Sequence, residues 1–144
     1  MENFPVKLKL RIDWSELDML RHVNNITFLK YVQSSRVNYW EQIDLTGLYN
    51  NEKKGPMLVS TSIQYLKPLY YPGNVTVQAR VEFIKNTSFG IHHQIIDDNN
   101  EVAAEAHDVA VIFDFNINSK IPFPDSLRQK IEEIENKTFV KLSN

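Results

Sequence analysis

The chain has 144 residues, 42% of them hydrophobic, a formal net charge of -2 and no cysteine. This length and apolar content predict one domain, residues 1–144, with a substantial core. The lack of cysteine excludes disulfides, zinc–thiolate sites and a cysteine nucleophile. Without a cationic surplus, binding to a nucleic-acid backbone is not expected. No segment has the roughly 18 apolar residues of a membrane span or the apolar core of a signal peptide, so we expect a cytoplasmic protein with no membrane partner.

The first third of the chain predicts a strand, a loop and one long helix. Apolar residues of the strand alternate with charged ones, as in a half-buried strand, at Val6, Leu8, Leu10 and Ile12. The loop that follows carries Asp18 and His22. The helix has Asn25 as its expected N-cap, and Gly47 lies just past its expected end. The small side chain of Ser35 in mid-helix predicts close packing against a sheet.

The rest of the chain, after a loop at 50–56, predicts strands. Runs rich in Val, Ile, Thr and aromatic residues, separated by turns, cover 57–66, 75–83, 89–96 and 102–115. Pro124 then begins a short C-terminal helix. His92 and His93 are neighbours on one predicted strand and therefore face opposite sides. They are not expected to share a metal ion, and no acid or histidine partner is expected near them.

These elements predict an α+β fold. Four strands that follow one another without intervening helices must pair largely antiparallel. Together with the first strand they form a five-stranded antiparallel sheet, which wraps around the one long central helix. A single helix cannot cover five strands, so we expect an edge and a face of the sheet to be protected by dimerisation.

One stretch of the chain combines groups suited to acyl transfer. Asp18 and His22 precede a helix start, where free N–H groups and a partial positive charge are expected, and could activate a nucleophile and polarise a carbonyl. The segment 16–25, which reads ELDMLRHVNN, and the following Phe28 and Tyr31 resemble the hotdog-fold acyl thioesterases of the hydroxybenzoyl-CoA and acyl-ACP types. The resemblance covers about the whole domain. It implies a hotdog fold, hydrolysis of acyl-CoA or acyl-ACP thioesters, and a homodimer or homotetramer, with no metal and no organic cofactor.

The resemblance also implies roles for three residues. Asp18 aligns with the catalytic carboxylate of the family, which acts as nucleophile or as general base on water. Asn25 lies where the family offers a main-chain N–H to the thioester oxygen, and His22 could assist a proton transfer or orient the carbonyl. The alternatives are a helix-capping Asp18, a plain N-cap at Asn25 and a dispensable His22.

Five further residues are candidates for substrate binding. The acyl tail would lie between the long helix and a partner subunit, along Phe28, Tyr31 and the strand from Met57. Lys85 and Ser88 belong to a strand-to-strand turn of the kind near which the resembling enzymes bind the nucleotide or pantetheine arm; a plain hairpin turn is the alternative. Ser60 could face the site across a dimer interface, or belong to an ordinary polar strand face.

Departures from the family pattern leave other functions open. Leu20 replaces a functional Asn of the acyl-ACP enzymes, and Arg21 replaces a common Gly, which is unfavourable if the loop needs a positive φ. Glu16 stands where an aspartate is usual, and we expect it to have a structural role in the loop. The rival function is a non-catalytic hotdog domain that binds acyl thioesters. A hydratase or dehydratase of this fold would need an acid and a histidine near the central helix, which carries no histidine after His22.

Overall fold

The computed structural model describes residues 3–143. A single 3-10 turn at Trp14–Glu16 lies between the first strand and the first helix. The strands and helices are, in chain order, β1 (Val6–Arg11), α1 (Asn25–Gln42), α2 (Leu45–Glu52), β2 (Lys54–Tyr65), β3 (Asn74–Ile84), β4 (Ser88–Ile96), β5 (Val102–Asp114), β6 (Ser119–Lys120) and α3 (Asp125–Glu135).

The strands form one antiparallel sheet in the order β1-β3-β4-β5-β2, and the short β6 pairs with β5. The long helix α1 packs against β1, β3 and β4. The predicted hotdog architecture, a sheet wrapped around a central helix, is therefore confirmed. The addition to the prediction is β6, whose two residues are too few to give a periodic signal in the sequence.

The space between α1 and the sheet is filled by two apolar clusters. One surrounds the second half of α1 and α3, with Tyr39, Ile43 and Ile131 fully buried in it. The other surrounds the first half of α1, where Phe28 and Val32 pack with residues of β3, β4 and β5. Strand β3 contributes alternate residues to these clusters, namely Val75, Val77, Ala79 and Val81, as expected for a pleated strand. The second cluster holds the beginning of α1 at one end of the sheet.

The beginning of α1 lies one residue earlier than predicted. Asn24, and not Asn25, is the N-cap: its side-chain oxygen accepts a hydrogen bond from the N–H of Thr27 at 2.8 Å, and its backbone is extended. The Asn24 side-chain nitrogen donates to the carbonyl of Glu16 at 3.0 Å, which explains why this asparagine, of the two, is held in place. Asn25 is therefore the first residue inside the helix.

The end of α1 also differs from the prediction. The helix stops at Gln42, and Asp44, in a left-handed conformation with φ of 54°, caps a second helix, α2, by accepting from the N–H of Gly47 at 3.1 Å. Gly47 thus lies inside a helix and does not end one. The predicted loop at 50–56 is wrong for the same reason, because α2 extends to Glu52 and β2 begins at Lys54. Within residues 3–143, the helices are too short or too polar to cross a bilayer.

Candidate active site

The loop between the 3-10 turn and α1 is a tight turn that presents Asp18. The Asp18 N–H donates to the carbonyl of His22 at 2.8 Å, and the Arg21 N–H donates to the carbonyl of Asp18 at 3.0 Å. Arg21 has a φ of 65°, in the left-handed region that favours glycine. The loop therefore does need the positive φ considered from the sequence. Isolated bridges, Leu17 with Val23 and His22 with Tyr70, close the turn at its base.

The Asp18 carboxylate is exposed, and only one of its oxygens is engaged. Oδ1 accepts hydrogen bonds from the N–H groups of Leu20 at 2.8 Å and His22 at 3.2 Å. Among residues 3–143, Oδ2 has no hydrogen-bond partner. The amides that hold this acid belong to its own loop and not to the start of α1, which corrects the expectation from the sequence. One oxygen is thus fixed in direction, and the other is available to a ligand.

A cavity of about 330 Å³ brings together four of the predicted site residues. Asp18, His22, Asn25 and Phe28 all line it. Its remaining wall is the end of β2 and the segment that follows, including Tyr65, whose ring meets that of Phe28 edge-on with centroids 5.2 Å apart. The sequence motif therefore corresponds to one continuous surface in space.

Asp18 also borders a second cavity, of about 530 Å³, on the other side of the loop. Trp14, Arg21 and Tyr71 contribute to its lining. Trp14 is largely exposed, and the Arg21 side chain adds a positive charge at the rim. Asp18 therefore borders two cavities, and the lining of the second includes an exposed aromatic ring and a cation.

The first turn of α1 supplies a hydrogen-bond donor to the first cavity. As the first helical residue, Asn25 has a main-chain N–H without a partner inside the helix. The helix dipole places a partial positive charge at the same end. Asn25 and Asp18 line the same cavity, so a residue with an open N–H group and a residue with a carboxylate border the same space.

Tyr31 is part of the structural support of the loop, and its predicted contact with the acyl tail stays a prediction. It is 2% exposed, and its hydroxyl donates to Glu16 Oε1 at 2.7 Å. The same oxygen accepts from the N–H of Asp13, and Lys30 Nζ lies 3.2 Å from Glu16 Oε2. Burial, reinforced by the adjacent carboxylate, raises the pKa of Tyr31. The structural role expected for Glu16 is thus confirmed by its contacts, which tie the 3-10 turn to α1.

The other three predicted binding residues lie away from the Asp18 cavity within one chain. Ser60 is exposed in the middle of β2, opposite Val109. Lys85 and Ser88 flank the β3–β4 turn, where the Lys85 N–H donates to the Ser88 carbonyl at 2.7 Å. That turn lies at the end of the sheet opposite to the cavity, because β3 begins near the cavity and runs eleven residues away from it. A substrate role for these three residues stays a prediction that requires a second chain.

The sequence did not indicate the residues that follow β2. Leu66, Lys67 and Pro68 complete the wall of the cavity. Lys67 Nζ is paired with Asp97 at 2.7 Å and Glu101 at 3.0 Å, and these hydrogen bonds raise the Lys67 pKa. The Lys67 ammonium group is therefore paired with carboxylates of the β4–β5 turn. In the sequence, Pro68 indicates the end of a strand. No sequence motif indicates that the residues around it line a cavity.

A buried polar network lies under the middle of α1. Ser35 Oγ is 2.8 Å from His93 Nδ1, His93 Nε2 is 2.7 Å from Asp108 Oδ2, and Arg36 binds both oxygens of Asp108 at 2.8 and 3.0 Å. Thr61 of β2 donates to Asp108 Oδ1 at 2.9 Å. Since a carboxylate only accepts, His93 carries its proton on Nε2 and accepts from Ser35 at Nδ1. The order serine, histidine, aspartate is that of a hydrolytic triad.

Burial prevents this network from acting on a substrate. Ser35, His93 and Asp108 are each 1% exposed or less. Burial lowers the pKa of His93, so the ring stays neutral. Burial opposes ionisation of Asp108, but the hydrogen bonds from His93 and Arg36 outweigh it and lower the Asp108 pKa to about 2. The network therefore fastens α1 to three strands.

Comparison with known proteins identifies the family. A sequence profile of the thioesterase-like superfamily matches residues 12–131 of this chain. The chain belongs to the thioesterase-like superfamily. A relative in Escherichia coli (strain K12), the long-chain acyl-CoA thioesterase FadM, is 22% identical over 131 residues, which are 90% of this chain and 98% of the relative.

Solved structures of thioesterases share the fold of this superfamily member. A thioesterase from Thermus thermophilus, crystallised with coenzyme A and zinc, has a TM-score of 0.84 and 27% identity, covering 96% of this chain and 100% of that chain. A predicted thioesterase from Bacillus stearothermophilus has a TM-score of 0.80 and 26% identity, covering 89% and 94%. Family membership and these relatives support thioester hydrolysis as the general chemistry of the chain.

Proposed function

We propose that this protein hydrolyses acyl-CoA thioesters to a free acid and a thiol in the Asp18 cavity. The observation that carries the proposal is the pairing of a half-engaged carboxylate with an open helix-start N–H in one cavity. Asp18 is the base or the nucleophile, and the Asn25 N–H donates to the carbonyl oxygen. Phe28 and Tyr65 line the start of the acyl path.

The reaction needs few groups. Asp18 Oδ2 takes a proton from water as the water attacks the thioester carbon, or attacks that carbon itself to give an acyl anhydride that water then cleaves. The oxyanion that develops is stabilised by the Asn25 N–H, which helps most in the transition state. The carbon–sulfur bond breaks and the thiolate leaves. A proton held by Asp18 then passes to the thiolate or to the solvent, which restores the carboxylate and gives the thiol. By analogy with free cysteine, this thiol has a pKa of about 8.5, so strong general-acid help is unnecessary.

Coenzyme A is the favoured carrier over acyl carrier protein. FadM is named for long-chain acyl-CoA, and the Thermus thermophilus protein was crystallised with coenzyme A. Leu20, exposed on the Asp18 loop, stands where the acyl-ACP enzymes have a functional Asn. A loop that cannot reproduce that arrangement favours a mechanism centred on Asp18 with acyl-CoA as substrate.

Hydrolysis rates for matched carriers test this proposal. Acyl-CoA and acyl-ACP thioesters of the same chain lengths are incubated with the protein, and free thiol is measured. We expect turnover of at least one acyl-CoA, with kcat/KM about tenfold or more above that of its acyl-ACP counterpart. Tight binding of every thioester without release of thiol would instead support the non-catalytic hotdog domain.

A second copy of this chain completes the site at the β2 edge. Among the described strands, β2 pairs only with β5, so its other side presents free N–H and C=O groups. The strand and its continuation also expose large apolar side chains, namely Met57, Leu58, Val59, Tyr65 and Leu66. Edge-to-edge pairing with a second β2 would cover both features. Because Tyr65 also lines the Asp18 cavity, the partner would border the site.

A charge in the middle of this edge should separate the subunits. Val59 is 61% exposed in the single chain, so Val59→Lys should leave the fold intact and place an ammonium group in the interface. We expect wild-type protein to have at least twice the chain mass by light scattering, and Val59→Lys to shift toward one chain mass. Val140→Lys, at a 75% exposed position in the C-terminal segment, is the control and should not change the mass. A wild-type monomer would contradict the shared site.

A further inference from the structure

The face of the sheet turned away from α1 carries a cluster of metal-binding side chains. Glu82, His92 and His107 come from the neighbouring strands β3, β4 and β5, and one ligand atom of each lies within 4.8 Å of the others. His92 and His107 are directly opposite in the β4–β5 register, and their rings stack with centroids 4.4 Å apart. The expectation that no acid or histidine partner lies near His92 is therefore wrong, because the partners come from adjacent strands.

Hydrogen bonds fix the direction of the His92 lone pair. Arg80 Nη2 lies 3.3 Å from His92 Nδ1, and an arginine can only donate, so Nδ1 is the unprotonated nitrogen. The proton is then on Nε2, which lies 3.0 Å from Glu105 Oε1. A carboxylate that holds the far nitrogen of a histidine in this way is the usual outer partner of a metal ligand. Nδ1 also lies 3.8 Å from Glu82 Oε1.

The geometry points to a binding site for a divalent transition-metal ion of the zinc type, with Glu82, His92 and His107 as ligands. Two imidazoles and a carboxylate form a ligand set that Zn²⁺ prefers, and three protein ligands leave a fourth position for water. Glu82 Oε2 already lies 3.0 Å from His107 Nδ1. The ion would replace the proton between these two atoms.

Small side-chain movements would close the site. Ligand atoms around tetrahedral zinc are roughly 3.3–3.5 Å apart, given bonds of about 2.0–2.1 Å. The His107 and Glu82 side chains are 47% and 27% exposed and can rotate toward His92, which is 6% exposed and fixed. The Arg80 guanidinium must move away from Nδ1 when the ion enters.

The proposed site is separate from the Asp18 cavity. His92 faces away from α1, whereas its neighbour His93 faces Ser35 of α1. None of the three ligands lines either cavity beside Asp18. Metal binding should therefore join strands β3, β4 and β5 and leave the chemistry at Asp18 unchanged.

Calorimetric titration with Zn²⁺ tests this inference on the full chain, with any histidine tag removed. We expect one ion per chain for wild type, at least tenfold weaker binding for His107→Ala and for Glu82→Gln, and a rise in melting temperature with zinc only in wild type. Glu133→Gln, an exposed carboxylate on α3, is the matched control and should bind like wild type. Circular dichroism establishes that each variant is folded.

Two results would overturn the inference. One is the absence of zinc binding by wild type, which would leave the cluster as a stacked histidine pair with hydrogen bonds to Glu105 and Glu82. The other is binding that neither His107→Ala nor Glu82→Gln weakens, since the ion would then lie elsewhere. The calorimetric readout does not depend on thioester hydrolysis, so it decides the zinc site whatever the outcome of the activity assays.

Discussion

Asp18→Asn should lower kcat/KM for acyl-CoA hydrolysis by about 100-fold to 10,000-fold, the range that a general base contributes. The amide cannot take a proton from water and is a poor nucleophile, whichever of the two routes operates. The substitution keeps the shape of the side chain and an Oδ1 that accepts from the N–H groups of Leu20 and His22. The loop should therefore stay folded, and the loss should fall on kcat more than on KM.

Two further variants make this prediction specific. Asp125→Asn removes an exposed carboxylate from the start of α3 and should leave kcat/KM within about twofold of wild type. His22→Ala should cost less than Asp18→Asn, since in the proposed reaction His22 only assists. Activity of Asp18→Asn equal to that of wild type would remove Asp18 from the mechanism. A His22→Ala loss as large as that of Asp18→Asn would make the histidine an essential part of it.

Arg36→Met should destabilise the protein by about 3–5 kcal/mol, because it leaves the Asp108 carboxylate buried without its cation. Arg36 makes two hydrogen bonds to Asp108 at 2.8 and 3.0 Å, and the Asp108 side chain is 1% exposed. Methionine keeps most of the apolar volume of the arginine, so the loss measures the charge and not a cavity. Urea unfolding of the two proteins gives the difference in free energy of unfolding.

A surface pair of the same chemistry provides the control. Arg11 lies 3.2 Å from Asp13, with side chains that are 76% and 49% exposed. Exposed pairs contribute about 0–1 kcal/mol, so Arg11→Met should have a small effect. Equal losses for Arg36→Met and Arg11→Met would contradict the importance of the buried network.

The same network should make stability depend on pH in acid. The pKa of Asp108 is lowered to about 2 in the folded protein, below its value of about 3.9 in an unfolded chain. Its contribution is therefore fully present above pH 4 and is lost as the pH falls toward 2. The advantage of wild type over Asp108→Asn in free energy of unfolding should shrink by about 2 kcal/mol across that window. An advantage that does not change with pH would contradict an ionised Asp108.

The sequence predicts the fold well where apolar residues recur with a regular spacing. Alternation identified strands β1 and β3, and consecutive strands without helices required antiparallel pairing, both of which the structure confirms. The predicted start of α1 differs from the observed one by one residue, because both Asn24 and Asn25 can cap a helix. The choice depends on the contact of Asn24 with Glu16, which local sequence does not contain. The sequence does not predict the second helix α2, because a glycine such as Gly47 typically follows the end of a helix.

The candidate site is also predicted only where the information is local in sequence. Four predicted site residues line one cavity because they are close in sequence and a turn and a first helical turn keep them close in space: Asp18, His22, Asn25 and Phe28. The sequence does not predict which residues of distant strands contact one another. The partners of Arg36 are on β2 and β5, and those of His92 are on β3 and β5, so only the sheet register brings them together.

A crystal structure with an acyl-CoA analogue in which a methylene replaces the thioester sulfur tests the central claim most directly, since the ketone keeps the carbonyl but cannot be hydrolysed. We expect its oxygen about 2.7–3.1 Å from the Asn25 nitrogen and its carbon about 3–3.5 Å from Asp18 Oδ2, or from a water held by that oxygen. A carbonyl bound out of reach of both groups would contradict hydrolysis at this site.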